Sequence, residues 1–316
     1  MVMRWEPTLT RILNLIAGTL LGGIILLTGP TADLAVASVE LQALETDGLR
    51  VRYAAARQHT AERIAAISPA LFRELAAATG LAFDFRPTVM PAARRSTFRR
   101  LGGNDTLMAF ARPQSKQVVL DLSRFDSQPA LLRPVLKHEY AHLLLHRHIA
   151  APRLPRWLDE GIAQHLSDGL SEYLPGRQER ILGEALAADR VFPLAALAVR
   201  FPADRYGRQL AYEQSRSIVG AMVRDYGDRF LPALLALMVD GATAAEAFQS
   251  VSGISLAEAE AVWRQRQTAP LSLMGRLAGH VYGLLFFMAG LATLAGYIRH
   301  RRRRRVYDTA ADDEEI

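Results

Sequence analysis

The stretch His138–His148 reads HEYAHLLLHRH and holds four of the chain's eight histidines. Two of them, His138 and His142, frame the pattern H-E-x-x-H with Glu139 between them. On a helix, residues four apart lie about 40° apart around the axis, so both imidazoles reach one ion. Glu139 projects beside them and can take a proton from a water held on that ion, which hydrolytic zinc chemistry requires. The competing reading of the same residues is a solvated helix face that happens to carry two histidines.

A metal site needs a third ligand, and two residues compete for it. His148 stands six positions after His142, as in the outer frame of H-E-x-x-H-x-x-G-x-x-H. In that pattern a glycine lets the chain turn sharply and swings the last histidine back. Position 145 here is Leu, which favours a continued helix and leaves His148 about 120° from His142. The other candidate is Glu160 in PRWLDEGIAQ, beyond a turn bounded by Pro152 and Pro155. A second helix folded back there presents one carboxylate. His146 lies nearly on the face of His142 and either orients a ligand or packs at the helix end.

Outward from the motif, strands come first and helices follow. LRVRYA (49–54) alternates as a strand does. Residues 59–79 space their apolar positions by three and four, stop at Gly80, and carry Pro69 as an expected start or kink. LAFDFRPTVM (81–90), TLMAFARP (106–113) and KQVVLDLS (116–123) are further strand candidates. Helices are expected over 128–149 and 155–169, then over 178–188, 192–199, 208–226, 228–240, 242–250 and 255–266. QTAPLS (267–272) reads as a linker. The order predicts an α+β fold: a small mixed sheet with the H-E-x-x-H helix, then a C-terminal helical subdomain.

HEYAHLL followed by PRWLDEGIA resembles the gluzincin metallopeptidases, most closely their peptidase MA-like, membrane-associated branch. The resemblance implies a zincin-like fold with His138, His142 and Glu160 as zinc ligands and Glu139 as general base. It rests on W-x-x-E-G at Trp157–Gly161 as much as on H-E-x-x-H. Trp157 then packs its helix on the core, and Gly161 lets two helices approach closely. Asp159 is read either as an acid that orients a ligand imidazole or as an exposed helix-start residue. TLMAFARPQSKQVVLDLS resembles the strand pair whose edge binds extended peptide by main-chain hydrogen bonds. LAYEQSRSIVGAMVRDYG (210–227) resembles the downstream helix, which implies Tyr212 as a donor to the oxyanion. Tyr206 is the fallback, and a core tyrosine is the alternative for Tyr212. His59, His165 and His280 read as structural or interfacial.

The whole chain sets bounds on these readings. It has 316 residues, 50% of them apolar, and no cysteine. Disulfides, thiolate metal sites and cysteine nucleophiles are excluded. Net charge is +6, but the basic residues lack periodic aromatic partners, so no nucleic-acid partner is expected. Arg4 and Arg11 precede or open an uncharged run from Ile12 to Gly29, and Ala35-Val36-Ala37 follows as a signal-peptidase pattern. Leu277–Ile298 carries no formal charge and precedes RHRRRRR at 299–305. That pattern predicts a transmembrane helix with its basic end in the cytoplasm.

The expected organisation is therefore a signal peptide or N-terminal anchor (1–37), a zincin-like subdomain with the motif helix (38–148) and a helical subdomain with the third ligand (149–270). A transmembrane helix (277–298) contacting the lipid bilayer and a cytoplasmic tail (299–316) complete it. The expected function is zinc-dependent hydrolysis of peptide or protein substrates by an extracytoplasmic domain held at the cell membrane. The alternative is a tethered binding module that keeps the fold without catalysis. A third reading, an electrostatic binder of nucleic acid or lipid, would place the function in the arginine run.

Overall fold

Asp47-Gly48 turns the chain between strands β1 (Leu41–Thr46) and β2 (Leu49–Ala54), whose antiparallel register pairs Thr46 with Leu49. Asp and Gly are both favoured turn residues, and neither takes a positive φ here. The computed structural model describes residues 41–167 and 178–312, with side chains over 41–167, 181–268 and 283–299. In β2, Leu49, Val51 and Tyr53 are buried and Arg50 and Arg52 exposed, the expected alternation. β1 was not expected from the sequence, because its own residues are mostly exposed and do not alternate cleanly.

A parallel neighbour needs a crossover, and helix α1 (Gln58–Thr79) supplies it between β2 and β3 (Thr88–Ala92). α1 buries Ala61, Ile64, Ser68, Leu71 and Leu75, alternating steps of three and four. It runs unbroken through Pro69, where the sequence predicted a start or kink. Gly80 ends it at φ +72°, with its N–H donating to Ala76. β3 begins at Thr88 and not at Leu81, and residues 81–87 before it are not strand, with Leu81 and Phe85 buried in the core. After α2 (Arg95–Arg100), strands β4 (Ala109–Arg112) and β5 (Gln117–Asp121) complete a sheet of order β1-β2-β3-β5-β4. β3 and β5 are parallel, and β4 is an antiparallel edge.

Beyond the short helix α3 (Leu122–Phe125), the central helix α4 (Leu132–His148) packs on β4 and β5. It is buried nearly all round, and Val135, Leu136, Leu143, Leu144 and Leu145 are each at most 2% exposed. Each such side chain contributes roughly 1.5–3 kcal/mol. Helix α5 (Arg156–Leu166) lies against α4 and against α7 (Arg205–Tyr226). Helices α6 (Gln178–Ala187), α8 (Phe230–Val239), α9 (Ala244–Ser252) and α10 (Leu256–Asp312) complete the described chain. One hydrophobic core runs from Leu49 to Trp263, across the subdomain boundary expected at 148/149.

Three expectations need correction. The helix expected over 192–199 is a run of turns over 194–199. Its carbonyls are used elsewhere: Ala198 accepts from the N–H of Arg156 and Leu197 from that of Trp157. They satisfy first-turn donors of α5 that no intrahelical partner can reach. The linker expected at 267–272 is instead helical, within α10. The transmembrane helix expected at 277–298 is not found: among the described residues no helix is long and apolar enough to cross a membrane. The fold is thus α+β with a five-stranded sheet and a largely helical second half, without that final element. The segment expected as signal peptide or anchor, 1–37, lies outside the described residues, as do the side chains of the tail beyond Arg299.

Candidate metal centre

Leu145 decides the course of α4. It is fully buried, and its carbonyl accepts the N–H of Ile149, so the helix continues to His148. His148 is thereby carried away from the motif, and its Nε2 lies 2.8 Å from the carbonyl of Ala82. The chain then returns over the turn at Ala151–Arg153, and α5 begins after Pro155. Its first turn, capped by Leu197 and Ala198, places Asp159 and Glu160 against α4.

His138, His142 and Glu160 come together, each offering one ligand atom, all within 4.8 Å of one another. The Nε2 atoms of His138 and His142 are 3.1 Å apart. Glu160 Oε2 stands 3.8 Å from the first and 3.5 Å from the second. Two donors held at about 2.0–2.1 Å on one tetrahedral ion stand about 3.3 Å apart. Glu160 Oε2 is buried and has no hydrogen-bond partner. A buried carboxylate oxygen without a donor is costly unless a cation faces it, so these residues fit a zinc ion. Glu139, 1% exposed, lies beside them on α4.

The surrounding groups divide the labour on the two acids of α5. Glu160 Oε1 accepts from Arg156 Nη2 at 3.2 Å and from the Tyr212 hydroxyl at 3.3 Å. Asp159 Oδ1 is 2.8 Å from His142 Nδ1, and Oδ2 is 2.9 Å from His146 Nε2. Asp159 is therefore a buried acid bonded to two imidazoles of α4 and not an exposed helix-start residue. Arg156 also lies over the ring of Phe201, which meets Tyr212 edge-on at 5.1 Å.

Electrostatics follow from this packing. Burial, and then the charge of His142, push His138 down to about 3. Burial also disfavours charge on His142, but Asp159 and Glu160 outweigh it and hold His142 well above the usual imidazole value. Burial would raise both acids. His142, then the hydrogen bonds it and His146 make, hold Asp159 below the usual carboxylate range. His142 and His138 do the same for Glu160.

Sequence reasoning did not find Arg156 as a partner of Glu160, although the i,i+4 spacing was available as a signal. Nor did it choose between the two roles of His146. Tyr206 is 42% exposed, whereas Tyr212 reaches the site. His59 is exposed on α1, and His165 is half-buried near Gly220 of α7. The side chain of His280 is outside the described residues.

Comparison with known proteins finds a family model that matches part of the chain. Residues 130–269, which include all four residues of the motif site, match the model of the Peptidase MA superfamily. No curated protein matches the chain. Among solved structures, it is similar to a functionally unknown conserved protein from Bacillus anthracis, at 13% identity and a TM-score of 0.42, over 67% of this chain and 46% of that one. It is also similar to an M1 zinc metallopeptidase mutant from Deinococcus radiodurans, at 17% identity and a TM-score of 0.42, over 72% of this chain and 51% of that one. The chain thus spans about half the length of these structures.

Proposed function

We infer that this chain, a peptidase MA-like member of the gluzincin type over residues 130–269, is a zinc-dependent metallopeptidase. The observation that carries the reading is the buried Oε2 of Glu160 standing 3.8 Å and 3.5 Å from two imidazole nitrogens, with buried Glu139 on the same helix as those imidazoles. His138, His142 and Glu160 would hold the ion. Zinc bound there supplies Lewis-acid polarisation of the scissile carbonyl and of the attacking water. Glu139 takes the water proton and passes it to the leaving amine. The Tyr212 hydroxyl, already at the rim of the site on Glu160, donates to the oxyanion that develops on the carbonyl. The outer edge of β4, beside α4 and unpaired among the described residues, offers main-chain hydrogen bonds to an extended peptide.

Glu139→Gln tests the mechanism. It should retain zinc and lower the hydrolysis of a peptide library by at least about 100-fold. A variant that cleaves as the wild type does would overturn the role of Glu139. A wild-type protein that binds zinc and cleaves no peptide would favour the non-catalytic binding module.

The same reading places the domain outside the cytoplasm. Its support is the sequence alone: Arg4 and Arg11, the uncharged run Ile12–Gly29, and Ala35-Val36-Ala37. A reporter active only after export, fused behind residues 1–60, should be active. Activity of a cytoplasm-only reporter at the same junction would contradict export.

A further inference from the structure

His146 is unused by the mechanism above, yet it is tied into the site. It lies one turn beyond His142 on α4, with its side chain 24% exposed. Its Nε2 meets Asp159 Oδ2 at 2.9 Å, while the other oxygen of the same carboxylate meets His142 Nδ1 at 2.8 Å. Asp159 thus bridges two successive turns of α4 from its place on α5, next to Glu160.

The proton positions follow from the chemistry. His142 can present a lone pair at Nε2 only if its proton sits on Nδ1, and Asp159 Oδ1 accepts that proton's hydrogen bond. If the proton sat on Nε2 it would point at His138 Nε2, 3.1 Å away, and no ion could enter between them. The carboxylate keeps Oδ1 in place only while Oδ2 is also held. His146 Nε2–H supplies that second donor. Removing it frees Asp159 to rotate, and with it the tautomer and ring plane of His142.

We propose that His146 is a positioning residue of the metal centre: through Asp159 it fixes the tautomer of His142 and the seating of α5 against α4. The proposal rests on the zinc-site reading given above. Outer partners of this kind typically change metal affinity by about 10–100-fold.

The test is zinc affinity of the full chain, measured by competition with a chromophoric chelator, with thermal unfolding of the metal-free protein recorded alongside. His146→Leu should weaken zinc binding by about tenfold. His146→Gln, whose side-chain amide keeps a donor near the same place, should recover most of the loss. Asp159→Asn should also weaken binding, and adding His146→Leu to it should cost less than twofold more, because both act through one carboxylate. Wild-type affinity in His146→Leu would overturn the proposal. So would equal losses in His146→Leu and His146→Gln, or losses that multiply in the double variant. A lower unfolding temperature in His146→Leu with unchanged affinity would mean a packing role only, and would also overturn it. A wild-type chain that takes up no zinc would overturn the zinc-site reading itself, which separates the two failures.

Discussion

Glu160 and Gly161 are neighbours with opposite demands on α5. Glu160 has to reach α4, and Gly161 has to be small enough for α7. A Cβ added at Gly161 would lie 2.6 Å from the carbonyl oxygen of Ser215 and 2.6 Å from Val219 Cγ2. Ala is the better helix former by about 1 kcal/mol, but here it meets backbone that cannot step aside. Gly161→Ala should therefore destabilise the fold by roughly 1–3 kcal/mol and weaken zinc binding, because the shift is delivered at the next residue. Thermal unfolding and chelator competition would read the two effects; a more stable variant would contradict the close approach. This glycine was legible in the sequence, since it follows directly on the candidate ligand. Leu145 was legible too, as the residue that keeps the helix going and sends His148 away. Arg156 and His146 were not resolved, because their partners depend on the angle at which two helices meet.

The elements show the same division. α1, α4, α5 and α7 carry apolar residues at helical spacing, and the structure contains them close to where the sequence puts them. What failed lacked a pattern of its own. β1 is held by its pairing with β2, and the turns at 194–199 are shaped by capping α5. In both, the cause lies in another part of the chain. α7 raises a testable matter of function. The Tyr212 hydroxyl shares Glu160 Oε1 with Arg156, so its loss leaves that oxygen one donor. Tyr212→Phe should therefore keep most of the zinc affinity while lowering kcat by about 100–1,000-fold. A large loss of affinity with kcat unchanged would assign the hydroxyl to holding Glu160 and not to the oxyanion.

At the scale of the molecule, a continuous core carries Glu139, Asp159 and Glu160 and the imidazoles of His138 and His142 into a low-polarity interior, and the protonation of those imidazoles is linked to the ion. Without metal, His142 keeps its proton above its ordinary pKa because Asp159 and Glu160 outweigh its burial. His138, at about 3, is already neutral near pH 7. Binding must then expel one proton from His142. Zinc affinity should rise with pH by about tenfold per unit and flatten once the pH passes the His142 value. Titration against a chelator between about pH 6 and about pH 9 would show it; a flat profile would contradict a protonated His142. The two oxygens of Glu160 have a further consequence. Oε1 is engaged by Arg156 and Tyr212, which leaves Oε2 alone facing the imidazoles. The carboxylate is thereby kept monodentate. Calcium and magnesium seek about six to eight oxygen donors, and a pocket of two nitrogens and one oxygen denies them that shell. On the zinc reading, the pair of donors on Oε1 would bias the pocket against hard cations through contacts made to Glu160 alone.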